Sequence, residues 1–180
     1  MDAMRRVIFL IFSSLLFSNS AVWGMGVDEA YRAIPHQRTV FNSSRSNIDL
    51  VERHYLTIFF SLIDKAVVAR VEGVRAIRAG KEPNMGVYRS ILVDLDALSV
   101  PGRLRAAQGF VREAISDQGE ALQRWSRNPS LLSNIAGDPS VASASNKLHR
   151  AYSELMRLYP SESKMNKQAF FDYLCALDYR

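Results

Sequence analysis

Residues 47–79 run for 33 positions without a proline, and the first strong stop is Gly80, followed by Pro83. Ser46 stands where a side-chain oxygen can accept from the first free amides of a helix, and Asp49 stands three residues on in the reciprocal position. In helical projection Leu56, Phe60, Ile63, Val67, Val71 and Val74 form one flank. Tyr55, Ile58, Leu62, Ala66, Ala69 and Gly73 form the flank beside it. Only a narrow stripe is left for solvent, at Arg53, Thr57, Ser61, Asp64, Lys65, Glu72, Arg75 and Ala79. A helix that is apolar over more than half its circumference must be covered by other helices, so this is the central helix of a bundle. Its straight length would be about 50 Å at 1.5 Å per residue, long for a chain of this size, and a bend is expected near Gly73.

The following segments supply the partners. Tyr88, Ile91, Leu92, Leu95 and Leu98 recur at helical spacing over 85–98. A strand over 93–98 is the alternative, but no second strand candidate offers it a partner. Pro101 and Gly102 break the chain. The third helix covers 103–127, with Leu104, Ala107, Val111, Ile115, Gln118, Leu122 and Trp125 inward, and Asn128 and Pro129 end it. Residues 130–137 read as a loop or a single helical turn. Asp138 before Pro139 is a capping side chain ahead of a proline at the first helical position. Val141, Ala144, Leu148, Tyr152, Leu155 and Tyr159 carry that helix to Pro160. A last helix over 164–177 is capped by Ser163, with Lys167, Phe170, Phe171, Leu174 and Leu177 along one side. The expected fold is an all-α, single-domain bundle of about five helices over residues 46–180. Residues 25–45, interrupted by Pro35, form an irregular arm packed on it, with a helical turn over 27–34.

The first 24 residues read differently. Arg5 and Arg6 precede an uncharged run, VIFLIFSSLLF at 7–17, and then Ser18, Asn19, Ser20 and Ala21 lower the hydrophobicity. That order is expected of a secretory signal peptide, cut after Ser20 or after Gly24. The alternative is an uncleaved anchor, because 7–23 is near the lower limit for a bilayer span; the serines and Asn19 weaken it. Cleavage after Gly24 would leave 21 positive and 17 negative charges. The expected location is therefore periplasmic or secreted, with membrane contact only through the signal peptide.

Most catalytic chemistries lack their residues. Asn42 to Ser44 form a glycosylation triplet common by chance. A di-iron bundle needs Glu-x-x-His on two helices, but Ala33, Val51 and Asn146 stand three residues before His36, His54 and His149. None of these histidines is marked out for a pH-sensing role. Asp94 and Asp96 lie two apart, about 200° around a helix, and so cannot share an ion. Cys175 is the single cysteine, which excludes a disulfide framework and multi-cysteine zinc sites. Its spacing of four from Phe171 makes it a packed thiol rather than a nucleophile. Glu113, Asp117 and Glu120 read as a solvated face, with Glu120 pairing with Arg124 four residues on. Glu162 before Ser163 has the form of the Glu-Ser pair of peptidoglycan-cleaving enzymes, but nothing around it supports that reading. No catalytic residue, cofactor or metal is assigned.

What remains are surfaces. The sequence pI is 9.6. Arg75, Arg78 and Lys81 close the long helix, and Arg103 and Arg105 open the third. Together they are candidates for a patch facing anionic lipid headgroups or polymers; complementing a helix C-terminus is the competing role of the first three. Tyr173 and Tyr179, off the main apolar face, are candidates to anchor a partner. The expected function is a non-catalytic interaction module of the cell envelope, binding a protein or an anionic envelope component and no nucleic acid. Two alternatives stand beside it: an enzyme on envelope polymer with dispersed acids, and a membrane-tethered subunit that keeps its N-terminal segment.

Overall fold

The computed structural model describes residues 24–179. The signal peptide expected over 1–24 lies, apart from Gly24, outside the described residues. Within them the chain forms six α-helices: α1 (Val27–Arg32), α2 (Leu50–Arg78), α3 (Met85–Ala97), α4 (Arg105–Arg127), α5 (Pro139–Leu158) and α6 (Lys164–Leu177). Three 3-10 segments, Ser43–Arg45, Gly102–Leu104 and Pro129–Gly137, join them, and the described residues contain no strand. The all-α bundle with one long central helix is thus the observed fold, and the strand alternative over 93–98 gives way to α3, which takes in 93–97 and is capped by Leu98.

The helix ends follow from local chemistry, with one correction. The Asp49 carboxylate, not Ser46, accepts from the Val51 amide at 2.8 Å and starts α2. Ser46 is drawn elsewhere: its hydroxyl accepts from the Ile48 amide at 3.2 Å and donates to Glu162 at 2.5 Å. At the other end Gly80 takes a left-handed φ of 68°. The amides of Gly80 and Lys81 close on the carbonyls of Ile77 and Ala76 at 3.0 and 2.8 Å, the glycine-dependent way to end a helix. Asp138 accepts from the Ser140 amide at 2.9 Å and Ser163 from that of Asn166 at 3.2 Å, so both expected caps are in place.

α2 is one continuous helix of 29 residues, about 44 Å long. Gly73 serves a close helix approach: a Cβ there would lie 3.0 Å from Cδ1 of Leu122 on α4. α2, α4, α5 and α6 pack in a cycle, each against the next, with α3 lying against α2 and α4 and α1 against α2. Trp125, Phe59, Phe60 and Phe170 are the largest side chains sealed inside.

The arm is fastened across α2. Phe41 inserts beside Phe60 and Phe170, with ring centroids 5.6 and 5.9 Å away. The Asn42 backbone amide donates to the Asn166 side chain at 2.8 Å and its carbonyl accepts from it at 3.2 Å. Asp64, expected on the solvent stripe, is buried because the arm lies over it. It accepts from the Tyr31 hydroxyl at 3.0 Å and pairs with Arg38 at 2.6 Å. That fastening places residues 33–35 beside the C-terminal half of α2.

Candidate functional site

The five basic residues grouped from the sequence do not converge. Arg103 lies at the start of α2, where its guanidinium is 3.6 Å from Glu52 and donates to the Leu158 carbonyl at 3.2 Å. Arg75 and Arg78 lie in the last turns of α2, about 35 Å along the helix from Glu52. The reason is directional, because α3 carries the chain back along α2 before α4 begins. Arg105 is exposed at the start of α4, and Lys81 is exposed in the turn after α2.

Arg75 and Arg78 line a groove of ≈ 370 Å³ between the arm, α2, the Pro129–Gly137 segment and the C-terminal end. Its apolar side is built from Ile34, Val71, Val74 and Ile135, and its third cation is Arg70; no Asp or Glu lines it. Helical spacing explains the layout. Arg70, Val74 and Arg78 are four apart in one row of α2, and Val71 and Arg75 form the row beside it.

Arg70 is the unusual member. It is only 8% exposed, and among the described residues no carboxylate lies within ion-pair distance of it. Its Nη1 donates to the Ala176 carbonyl at 2.7 Å, at the C-terminal end of α6, and its Nε has no hydrogen-bond partner. The Tyr179 ring lies 4.4 Å from the guanidinium carbon. Burial lowers its pKa from the usual value, but a guanidinium stays charged throughout the working range of proteins. Burial, followed by the charge of Arg70, also holds His36 below its ordinary value. Arg75 is steadied at the rim by Glu29 at 3.2 Å, whereas Arg78 has no ion pair among the described residues.

The two tyrosines part company. Tyr179 lines the groove, edge-on to Trp125 at 5.2 Å, with a phenol pushed up to about 12 by burial. Tyr173 cannot anchor a partner, because it is buried and stacks on Phe60 with centroids 4.5 Å apart. Phe171 is 44% exposed and meets Tyr152 edge-on.

No protein-family model, curated protein or solved structure matches the chain. The groove therefore stands on its own geometry.

The other polar features resolve into structural contacts. Asp94 pairs with Lys65 of α2 at 3.6 Å and Asp96 with Arg112 of α4 at 2.5 Å, so the two acids face different helices. Glu113 and Asp117 both reach Lys147 of α5, at 3.5 and 2.8 Å. Arg124 bonds Asp138 at 2.6 Å rather than serving Glu120 as the sequence spacing suggests, because Asp138 is buried and also accepts from Trp125. Glu162 accepts from Ser46 and from the Ser163 amide. These bonds outweigh its burial and hold its pKa below the ordinary range, opposite to what a general acid needs. Burial, with Asp178 and Asp172 nearby, pushes the Cys175 thiol up to about 11, which keeps it protonated. Among the described residues no three His, Cys, Asp or Glu side chains gather as metal ligands.

Arg70 escaped the sequence reading. Its signal was present: a lone cation at the end of the apolar run AVVA at 66–69, on a helix with little solvent-facing surface.

Proposed function

We propose that this protein is an exported, non-catalytic binding module of the cell envelope and that its groove takes up an anionic component. The observation that carries this reading is the Arg70 guanidinium, buried with no direct ion pair among the described residues, in a groove that also presents Arg75 and Arg78 and is lined by no acid. Three cations, of which Arg75 alone has an ion pair among the described residues, to Glu29 at the rim, raise the local potential and favour an anion. A charge-assisted hydrogen bond to such a ligand is worth about 1.5–3 kcal/mol. The lining offers donors and charge but no carboxylate or imidazole to act as a base, which supports holding over turning over. Export is supported by Arg5 and Arg6 ahead of the apolar run at 7–17.

Calorimetric titration with inorganic phosphate, pyrophosphate and decanoate at low salt tests the reading. At least one of them binds saturably, loses affinity in Arg75→Gln/Arg78→Gln and keeps it in Arg103→Gln, which lies at the other end of α2. Absence of binding by all three overturns the proposal. N-terminal sequencing of the exported protein is expected to begin between Ala21 and Met25; Met1 there would favour the tethered form instead.

A further inference from the structure

We infer that the ligand of this groove is a free amphiphilic anion, a small carboxylate or phosphate head carried on an apolar body. This rests on the reading of the groove as an anion site and narrows it to a chemical class. The first argument is the division of the walls. Arg70, Arg75 and Arg78 supply charge, while Ile34, Val71, Val74 and Ile135 supply branched aliphatic surface in the same recess. A wholly hydrophilic anion satisfies the arginines and leaves that surface wet; an amphiphile covers both.

The second argument is the number of free donors. Arg70 spends Nη1 on the Ala176 carbonyl and has Nε without an acceptor. The Tyr179 ring covers one face of the guanidinium. With Nη1 and one ring face taken and Nε sealed from solvent, little of this guanidinium faces the groove, which fits a single compact head and not a polyanion spread along a surface. Arg78 at the rim adds long-range attraction.

Depth separates a free ligand from a lipid in a bilayer. Arg70 is 8% exposed and sits at the inner wall. A headgroup held in a membrane plane meets Arg78 and Arg75 first and must leave that plane to reach Arg70. The volume, ≈ 370 Å³, falls in the small-molecule range of about 300–1,000 Å³.

The experiment compares decanoate, decanol, inorganic phosphate and pyrophosphate by calorimetry, and sedimentation with phosphatidylglycerol vesicles, using the exported full-length protein. Decanoate is expected to bind saturably. Decanol, lacking the charge, and inorganic phosphate, lacking the chain, are each expected to bind at least about tenfold more weakly, the equivalent of about 1.4 kcal/mol. Arg75→Gln/Arg78→Gln weakens decanoate and not decanol, whereas the uncharged Val74→Thr weakens decanoate and not phosphate. Both substitutions are at partly or fully exposed positions of α2, and an unchanged helical circular dichroism signal confirms that each variant is folded. Arg70 is left intact in this test because its Nη1 secures the end of α6. If phosphate or pyrophosphate binds as tightly as decanoate, with the same arginine dependence, the anion reading stands and the amphiphile inference falls. If decanol equals decanoate, or nothing binds, both fall. Binding to vesicles without binding to free decanoate overturns the free-ligand inference.

Discussion

Replacing Gly73 by Ala sets two known effects against each other at a contact whose geometry is on record. In a helix interior Ala is favoured over Gly by about 1 kcal/mol. Here the added methyl would lie 3.0 and 3.1 Å from the two terminal carbons of Leu122. Carbon atoms attract best at about 3.5–4.0 Å, so both Leu122 methyls must retreat, and Leu122 is fully buried, so they must move against the packed core. Overpacking of this kind costs about 1–3 kcal/mol. The expected net result is a loss of about 1 kcal/mol of stability.

The sign reverses once the obstacle is removed. Leu122→Ala alone should cost about 2–5 kcal/mol through the cavity it leaves. In that background Gly73→Ala regains the helical preference without the clash and is expected to stabilise by about 1 kcal/mol. The coupling between the two positions is then about 2 kcal/mol, within the range found for residues in contact. Urea unfolding of the four proteins, with a shared dependence on denaturant, measures the cycle. Stabilisation by Gly73→Ala in the original background, or the same shift in both backgrounds to within about 0.5 kcal/mol, would refute the reasoning.

Cys175, with its thiol pushed up to about 11, should react slowly with thiol reagents at neutral pH and faster as pH rises toward that value; rapid labelling near pH 7 contradicts the packed-thiol assignment. The folded state holds that proton more tightly than a free thiol of pKa 9.0, so the associated stability is present below 9 and is lost as pH climbs toward 11. Glu162→Gln should destabilise by about 1–2 kcal/mol at neutral pH. Because Glu162 titrates below 4.5 in the folded protein, the difference should narrow as pH falls from 4.5 through that lower value, and a gap that widens toward acid refutes it. Asp64→Asn removes the carboxylate shared by Tyr31 and Arg38; proteolysis at Arg38 and Arg45 should accelerate, with a stability loss of about 1–3 kcal/mol, while unchanged cleavage would show that Phe41 and Asn42 suffice to hold the arm.

The helices were legible because each carries its own period and its own end signals. Asp138 and Ser163 cap where they stand, since their acceptors serve amides two and three residues away. Ser46 misled because its hydroxyl answers to Glu162, 116 residues on, a partner no local window contains. Asp64 misled for a related reason: a helical projection shows a helix alone, and its polar stripe here is roofed by the arm. The grouping of Arg75 and Arg78 with Arg103 failed on chain direction, which a charge pattern does not encode. Tyr173 lies three residues beyond Phe170 and shares its stack on Phe60, so its place on the core face was readable from helical spacing. Half of the groove was visible, in Arg75, Arg78 and Tyr179. The other half needed the arm and the C-terminal end to meet α2, and that meeting is tertiary.

Arg70 has a structural duty that must be weighed against the ligand reading. Its Nη1 satisfies the Ala176 carbonyl at the end of α6, where the last carbonyls lack intrahelical partners and the helix dipole favours a cation. The neighbouring carbonyl shows how little that duty requires. Gln118 of α4, fully buried and uncharged, donates to Leu177 at 2.6 Å and closes the same helix end with one amide. A second amide at position 70 would answer for Ala176 in the same way. Arg70 brings five donors and a full charge to a task that uses one donor, at the desolvation cost of several kcal/mol that a buried ion incurs. The partial charge at a helix end is about half a unit and is screened within a turn, so it offsets only part of that cost. Asp178 attracts the remaining charge through space without a direct ion pair to it among the described residues, and the open side of Arg70 is the groove it shares with Val74 and Arg78. Capping accounts for Nη1 and Asp178 offsets part of the charge; the proposed anion would supply the direct counter-charge that the described residues do not.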